Sequence, residues 1–304
     1  MSPRTRSALL LAFAATCWSI AGVLTRQLTG VGGFEVTFWR SLFCAVTMVA
    51  ILGWQQRGSP LAPLRAAGAA GLVSGAMWAV MFTCFMLALT RTSVANTLLV
   101  MSLAPLLTAL LGRVVLGARL TPATWTAVLL AGVGIGWMVH DGVSADGLAG
   151  MAIALAVPIA SAINIVVLKR LHAHVDLAPA ILTGAVLSCL ATAPFAWPFA
   201  ATANDLLILA VLGAGQLAIP CFLMIRAVRN LASHEVALIA LLEVVLGPLW
   251  AWGGAGEAIP AATLQGGLIV LVALAGNELI AARSARMTVS REPQQPIPPA
   301  TGPA

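Results

Sequence analysis

The sequence predicts an all-α integral membrane protein with ten transmembrane helices, built as two inverted five-helix repeats with both termini cytoplasmic. Three observations carry this. The 304 residues hold only 16 Lys+Arg and 10 Asp+Glu, 9% charged, where a soluble domain has about 25%. Apolar residues make up 60%, and they fall into runs long enough to cross a bilayer. The basic residues collect on alternate connections, as cytoplasmic loops require. So little charge cannot wet the surface of a soluble globule. It excludes an ordinary soluble enzyme, a disordered chain, a disulfide scaffold and a basic nucleic-acid binder.

A helix needs about 20 apolar residues to span the hydrocarbon core. The apolar runs lie at roughly 8–25, 34–54, 67–89, 93–115, 122–140, 147–168, 177–199, 206–226, 235–254 and 262–282. The connections between them are too short for a soluble domain. Arg4 and Arg6 followed by an apolar run resemble a signal peptide. The run is read instead as an uncleaved first span, because it fits a repeat described below. The tail, residues 284–304, carries Pro293, Pro296, Pro298, Pro299 and Pro303 and is expected to be disordered.

Lys and Arg set the orientation. With the N-terminus inside, the cytoplasmic side receives Arg4, Arg6, Arg57, Arg65, Arg113, Arg119, Lys169, Arg170, Arg226, Arg229, Arg283, Arg286 and Arg291. The outer side receives Arg26 and Arg91, and Arg40 falls within a span. A miscounted span would scramble this bias. Trp54, Trp137, Trp197 and Trp252 fall near span ends, where indole rings favour the interface.

The chain also repeats itself. LAPLLTALLGRVVLGARLTP at 103–122 and LEVVLGPLWAWGGAGEAIP at 242–260 are both apolar spans ending in a Gly-containing turn. Pro122 and Pro260 open the following helices, a position that suits proline. LTRQL at 24–28 and LKRL at 168–171 end spans one and six alike. The expected halves are 1–141 and 142–283. Five spans is an odd number, so the second half must insert upside down. That is the architecture of many secondary transporters, with the substrate near midplane between the halves.

The sequence resembles the drug/metabolite transporter superfamily, in its ten-span EamA-like branch, from about residue 8 to 282. The matching pieces are FWRSLFCAV at 38–46, MLALTRTSVANTLLVMSLAPLLTALLGRVVLG at 86–117, ALIALLEVVLGPLW at 237–250 and GAGE at 254–257. The family often has an acid in the turn after span four, where this chain has Ala118, and a proline directly after the span-nine glutamate, where it has Val244. The resemblance implies export of amino acids, related metabolites or drugs across a bacterial plasma membrane. It also implies a central cavity between spans one, three, four, six, eight and nine, with span two at its edge.

Glu243 is the sharpest candidate residue, about eight residues into span nine. A charge at the bilayer centre costs at least ~2.5–3.5 kcal/mol. It is a substrate contact or a proton-coupling group on one reading, a neutral structural carboxyl on the other. Arg40 is expected to anchor span two as a structural charge, snorkelling outward with Glu35 as its partner. Glu257 is a structural charge in the turn after span nine. Trp18, Trp78, Asn96, Ser102, Asn164 and Gln216 lie on the cavity spans and either line the substrate path or pack and bond between helices. Pro105, Pro158, Pro220 and Pro248 interrupt spans four, six, eight and nine, as hinges or as prolines that membrane helices tolerate. Gly71 and Gly75, and Gly132, Gly134 and Gly136, are read as close-packing sites.

The five cysteines lie singly in apolar runs, and the histidines have no nearby cysteine, so no metal site is expected. No P-loop appears, no catalytic set is evident, and no cofactor is expected. The expected partners are a small-molecule substrate, the lipid bilayer and optionally protons; monomer and homodimer are both compatible. The alternative is a membrane enzyme acting on a lipid or isoprenoid carrier, for which Lys169, Arg170, His172, His174 and Asp176 are the one cluster. A membrane scaffold without transport is a third reading.

Overall fold

The computed structural model describes residues 1–56, 68–140, 144–170 and 177–289. Among them there is no strand, and ten helices are long and apolar enough to cross a membrane. Backbone amides in hydrocarbon must bond within the segment, which leaves the helix as the only form such runs take. The helices are α1 Pro3–Thr25, α2 Gly33–Gln55, α3 Gly68–Leu89, α4 Val94–Leu116, α5 Pro122–His140, α6 Ala145–Arg170, α7 Ala178–Ala196, α8 Ala203–Asn230, α9 Ser233–Ala255 and α10 Ala261–Ser284. The expected spans are all there. The last helix continues to Val289, so 284–289 are helical, contrary to the expected disordered tail. An apolar span extends past the bilayer when nothing breaks its register. Residues 290–304, Arg57, Arg65, His172, His174 and Asp176 lie outside the described residues.

Helix ends follow local chemistry. Ser2 Oγ accepts from Thr5 N at 3.2 Å, and Ser93 Oγ from Asn96 N at 3.1 Å, satisfying first-turn amides. Thr202 and Asp205 form a reciprocal box, at 3.2 Å from Asp205 N to Thr202 Oγ1 and 2.9 Å from Thr202 N to Asp205 Oδ2. Gly117 and Gly256 take left-handed conformations, φ 68° and 65°, and end α4 and α9. Trp54, Trp137, Trp197 and Trp252 stand half or more exposed near helix ends.

Three spans are irregular. α1 breaks at Ile20, and α4 breaks at Ser102 and Leu103, ahead of Pro105. α8 winds as a π-helix over Val211–Ala218, just ahead of Pro220. α6 and α9 pass through Pro158 and Pro248 as continuous helices, so those two prolines do not interrupt their spans. A proline removes one backbone bond and leaves those on either side intact.

Packing has a pattern. α2 packs on α7, and α5 on α10. α3 packs on α6 and α7, while α8 packs on α1 and α2. α4 packs on α6, α9 on α1, and α4 on α9. Exchanging each helix with the one five places on returns the same set of pairs. Glycines sit at the crossings. A methyl added at Gly75 would strike Thr183 Cβ and Cγ2; one added at Gly213 would strike the Arg40 carbonyl and Phe43 Cβ. Gly134 and Gly266 bring the α5 and α10 backbones together in the same way.

In α4 and α9 one half is covered by the bundle and the half toward the basic end is not. Every residue from Val94 to Val100 is buried, but from Ala104 to Leu116 only Leu106 and Gly112 are. In α9 the buried residues are Val244, Gly247 and Ala251, all in the outer half.

Replacing Gly213 with Val should force α2 and α8 apart and destabilise the protein by about 1–3 kcal/mol. Gly215, where an added methyl meets only Val211 at 3.9 Å, should tolerate the same change. Thermal unfolding in detergent checks both.

Candidate functional site

Polar groups inside the bundle must be satisfied by other helices, and that requirement assembles the central cluster. Arg40 is 2% exposed. Its Nε and Nη2 donate to Gln216 Oε1 at 3.2 and 2.9 Å. Gln216 Nε2 donates in turn to the Trp18 carbonyl at 3.1 Å, where α1 nears its break. The Trp18 side chain packs against the buried cluster that includes Cys221. The guanidinium stands 5.4 Å from the Phe85 ring centroid, within cation–π range. Thus α1, α2, α3 and α8 all contribute to holding one buried cation.

Gln216 lies in the π segment of α8, four residues before Pro220. Proline has no N–H to offer the Gln216 carbonyl, and a π turn re-aims the side chains it carries. Gly213 lets that segment approach α2 closely.

Two features of the cluster are unfinished. Arg40 Nη1 is buried and has no hydrogen-bond partner. Glu243, on α9, interacts electrostatically with Arg40, yet among the described residues it forms neither an ion pair within 4 Å nor a hydrogen bond. It is only half-buried and immediately precedes the buried Val244. A carboxyl and a buried guanidinium therefore stand near each other with no bond between them, at the point in α9 where the covered half meets the uncovered half.

Arg40 does not snorkel outward and does not pair with Glu35. Five residues on a helix put two side chains about 140° apart. Glu35 instead accepts the amides of Ala200 at 3.0 Å and Ala201 at 2.9 Å, with the Trp39 indole at 3.3 Å. It fastens α2 to the α7–α8 connection.

The other expected site residues scatter. Trp78 packs on the same buried cluster as Trp18 and lies 5.4 Å from the Phe82 ring; its buried Nε1 has no partner. Asn164, on α6, is buried with Oδ1 unpartnered. Ser102 turns its hydroxyl back to the Leu99 carbonyl at 2.6 Å, closing the break in α4. Asn96 lies at the outer end, where Oδ1 accepts from Thr263 Oγ1 at 3.1 Å. It lines an outer cleft of about 480 Å³ with Arg26, Arg91 and Ser144. Glu257 pairs with Arg26 at 2.7 Å. Reading by sequence missed Cys44 and Cys221, both buried near Arg40. The available signal was Arg40 itself, a cation deep inside a span.

Residues 5–139, which cover α1 to α5, match one family profile. The match is to the EamA-like transporter family. The resemblance read from the sequence is found in these residues, and it suggests a membrane transporter of the drug/metabolite transporter superfamily. The comparison with curated proteins finds no match. Among solved structures, 27 chains match. One, a crystal structure of a protein 21% identical, covers 92% of this chain and 99% of its own, with a TM-score of 0.65. At that identity the likeness shows the fold, and it covers both halves of the chain. The protein is a multi-pass membrane protein.

Gln216→Leu should cost about 1.5–3 kcal/mol for each charged hydrogen bond it removes from Arg40, and Gln216→Glu, which keeps an acceptor for Arg40 but loses the donor to the Trp18 carbonyl, should cost less. Thermal unfolding of the purified protein reads the difference.

Proposed function

We infer that this protein is a secondary transporter that carries a small organic metabolite across the plasma membrane by alternating access. The substrate class is amino acids, related metabolites or drugs, and the direction is export. The observation that carries this reading is Glu243: an acid at mid-span, half-buried, unpaired, and facing a buried cation with a free N–H. Keeping two such groups costs stability, and a site that takes up a polar molecule recovers that cost when loaded.

Glu243 is the substrate contact or the proton-coupling group. Gln216, Trp18 and Trp78 form the wall around it, and Asn164 supplies a further polar group from α6. Asn96 and Ser102 stand on the outer part of the path. Pro105 and Pro220 lie at irregular turns and serve as hinges; Pro158 and Pro248 are bends within continuous helices. The division into halves 1–141 and 142–283 is supported by the five-place symmetry of the helix pairs and by Gly75 and Gly213, 138 residues apart, which meet α7 and α2 in the same manner. Inversion of the halves gives two related arrangements of one bundle, which is what alternating access needs.

The test is uptake of labelled amino acids and related metabolites into vesicles containing the purified protein, with and without an imposed pH gradient. Glu243→Gln should lower the initial rate at least about tenfold, as expected when a group worth 1.4 kcal/mol or more is removed from the transport step. The variant should remain folded, judged by its melting temperature. Wild-type rates in that variant would rule out Glu243 as the site.

A further inference from the structure

Two turns mirror each other across the membrane. α4 ends at Gly117 and α9 at Gly256, with φ 68° and 65°. In each, the next amide closes the helix six residues back: Ala118 N to Gly112 O at 3.3 Å, and Glu257 N to Ala251 O at 3.1 Å. The same backbone position thus carries Ala118 at the inner end and Glu257 at the outer end.

Glu257 uses that position to join segments. Its Oε2 accepts from Arg26 Nε at 2.7 Å, and its Oε1 from Val94 N at 2.7 Å. Arg26 reaches on to the carbonyls of Leu89 at 2.6 Å and Thr92 at 2.9 Å. One network ties the outer ends of α1, α3, α4 and α9. The two side chains are 28% and 17% exposed, so solvent screens them less than an open surface pair.

Among the described residues the inner end lacks the equivalent. Lys169 and Arg170 close α6 as Arg26 closes α1, but both are exposed and have no hydrogen bond or ion pair among the described residues. Ala118 offers them no carboxylate. The inner ties among the described residues include Arg4 with Glu235, where Arg4 is 64% exposed, Ser7 with Asn230 at 3.1 Å and Thr124 with Asn277 at 3.0 Å. The first two hold α1, the third joins α5 to α10, and none of the three involves the inner half of α4. Burial follows the same division: Val94 to Val100 are all buried, while between Ala104 and Leu116 only Leu106 and Gly112 are.

We propose that Arg26 and Glu257 form the outer gate of the transport cycle, and that the missing carboxylate at Ala118 makes the outer-closed, inner-open form the resting form of the empty protein. This rests on the transporter reading above.

Hydrogen–deuterium exchange of the full-length protein in lipid nanodiscs, without substrate, tests it. Glu257→Gln should speed exchange about tenfold at residues 89–97 and 254–260, the loss expected for one charged hydrogen bond, and leave the α5–α10 crossing near Gly134 unchanged. Ala118→Glu should slow exchange at the inner turn, residues 112–121, by a similar factor. Unchanged outer exchange in Glu257→Gln overturns the gate. A uniform rise over the whole protein also overturns it, because it makes the pair a general fold support. Unchanged inner exchange in Ala118→Glu overturns the asymmetry. No substrate enters these readouts, so a failed transport assay and a failed gate are separate results.

Discussion

A helix in lipid satisfies its own backbone and nothing else, so each polar side chain that enters the hydrocarbon must find its partner on another helix. Most of what is particular about this bundle follows from that constraint. Arg40 reaches Gln216 on α8, and Gln216 reaches the α1 backbone. Each bond joins helices far apart in the chain. The glycines at the crossings then set how closely those helices approach. Gly213 is the clearest, since the π segment carrying Gln216 reaches Arg40 only because no side chain stands between α8 and α2.

The groups that escape the constraint are the informative ones. Glu35 is buried and fully bonded; it fastens a connection. Glu257 is paired with Arg26 and a backbone amide; it closes an end. Glu243 shares their chemistry but has neither kind of partner. It lies at the boundary between the covered and uncovered halves of α9. The same physics therefore assigns three acids three different roles, and the difference lies in what surrounds each one.

The spans were legible in the sequence because hydropathy over twenty residues is a local property. Gly117 and Gly256 were legible as turns for the same reason. Pairings were not legible. Arg26 and Glu257 are 231 residues apart, as are Arg4 and Glu235, and no local pattern joins them. Glu35 sat close to Arg40 in sequence and drew the expected ion pair, but helical geometry turned the two apart. The depth of Glu243 was readable by counting from the span's start; the cation facing it was not, since Arg40 belongs to a helix expected at the edge of the cavity. The π turn at Gln216 was equally invisible, because nothing in Val211–Ala218 separates a π turn from an α turn until the neighbouring helix demands it.

The central claim is that Glu243 is a reachable, unpaired acid inside the membrane while the buried acids Glu35 and Asp205 are occupied. A lipid-soluble carbodiimide, which couples to free carboxyls in apolar surroundings, reads this directly when the labelled sites are mapped by mass spectrometry. The account predicts modification at Glu243 and protection of Glu35, whose carboxylate is held by two backbone amides. Equal labelling of both, or none at Glu243, would contradict it.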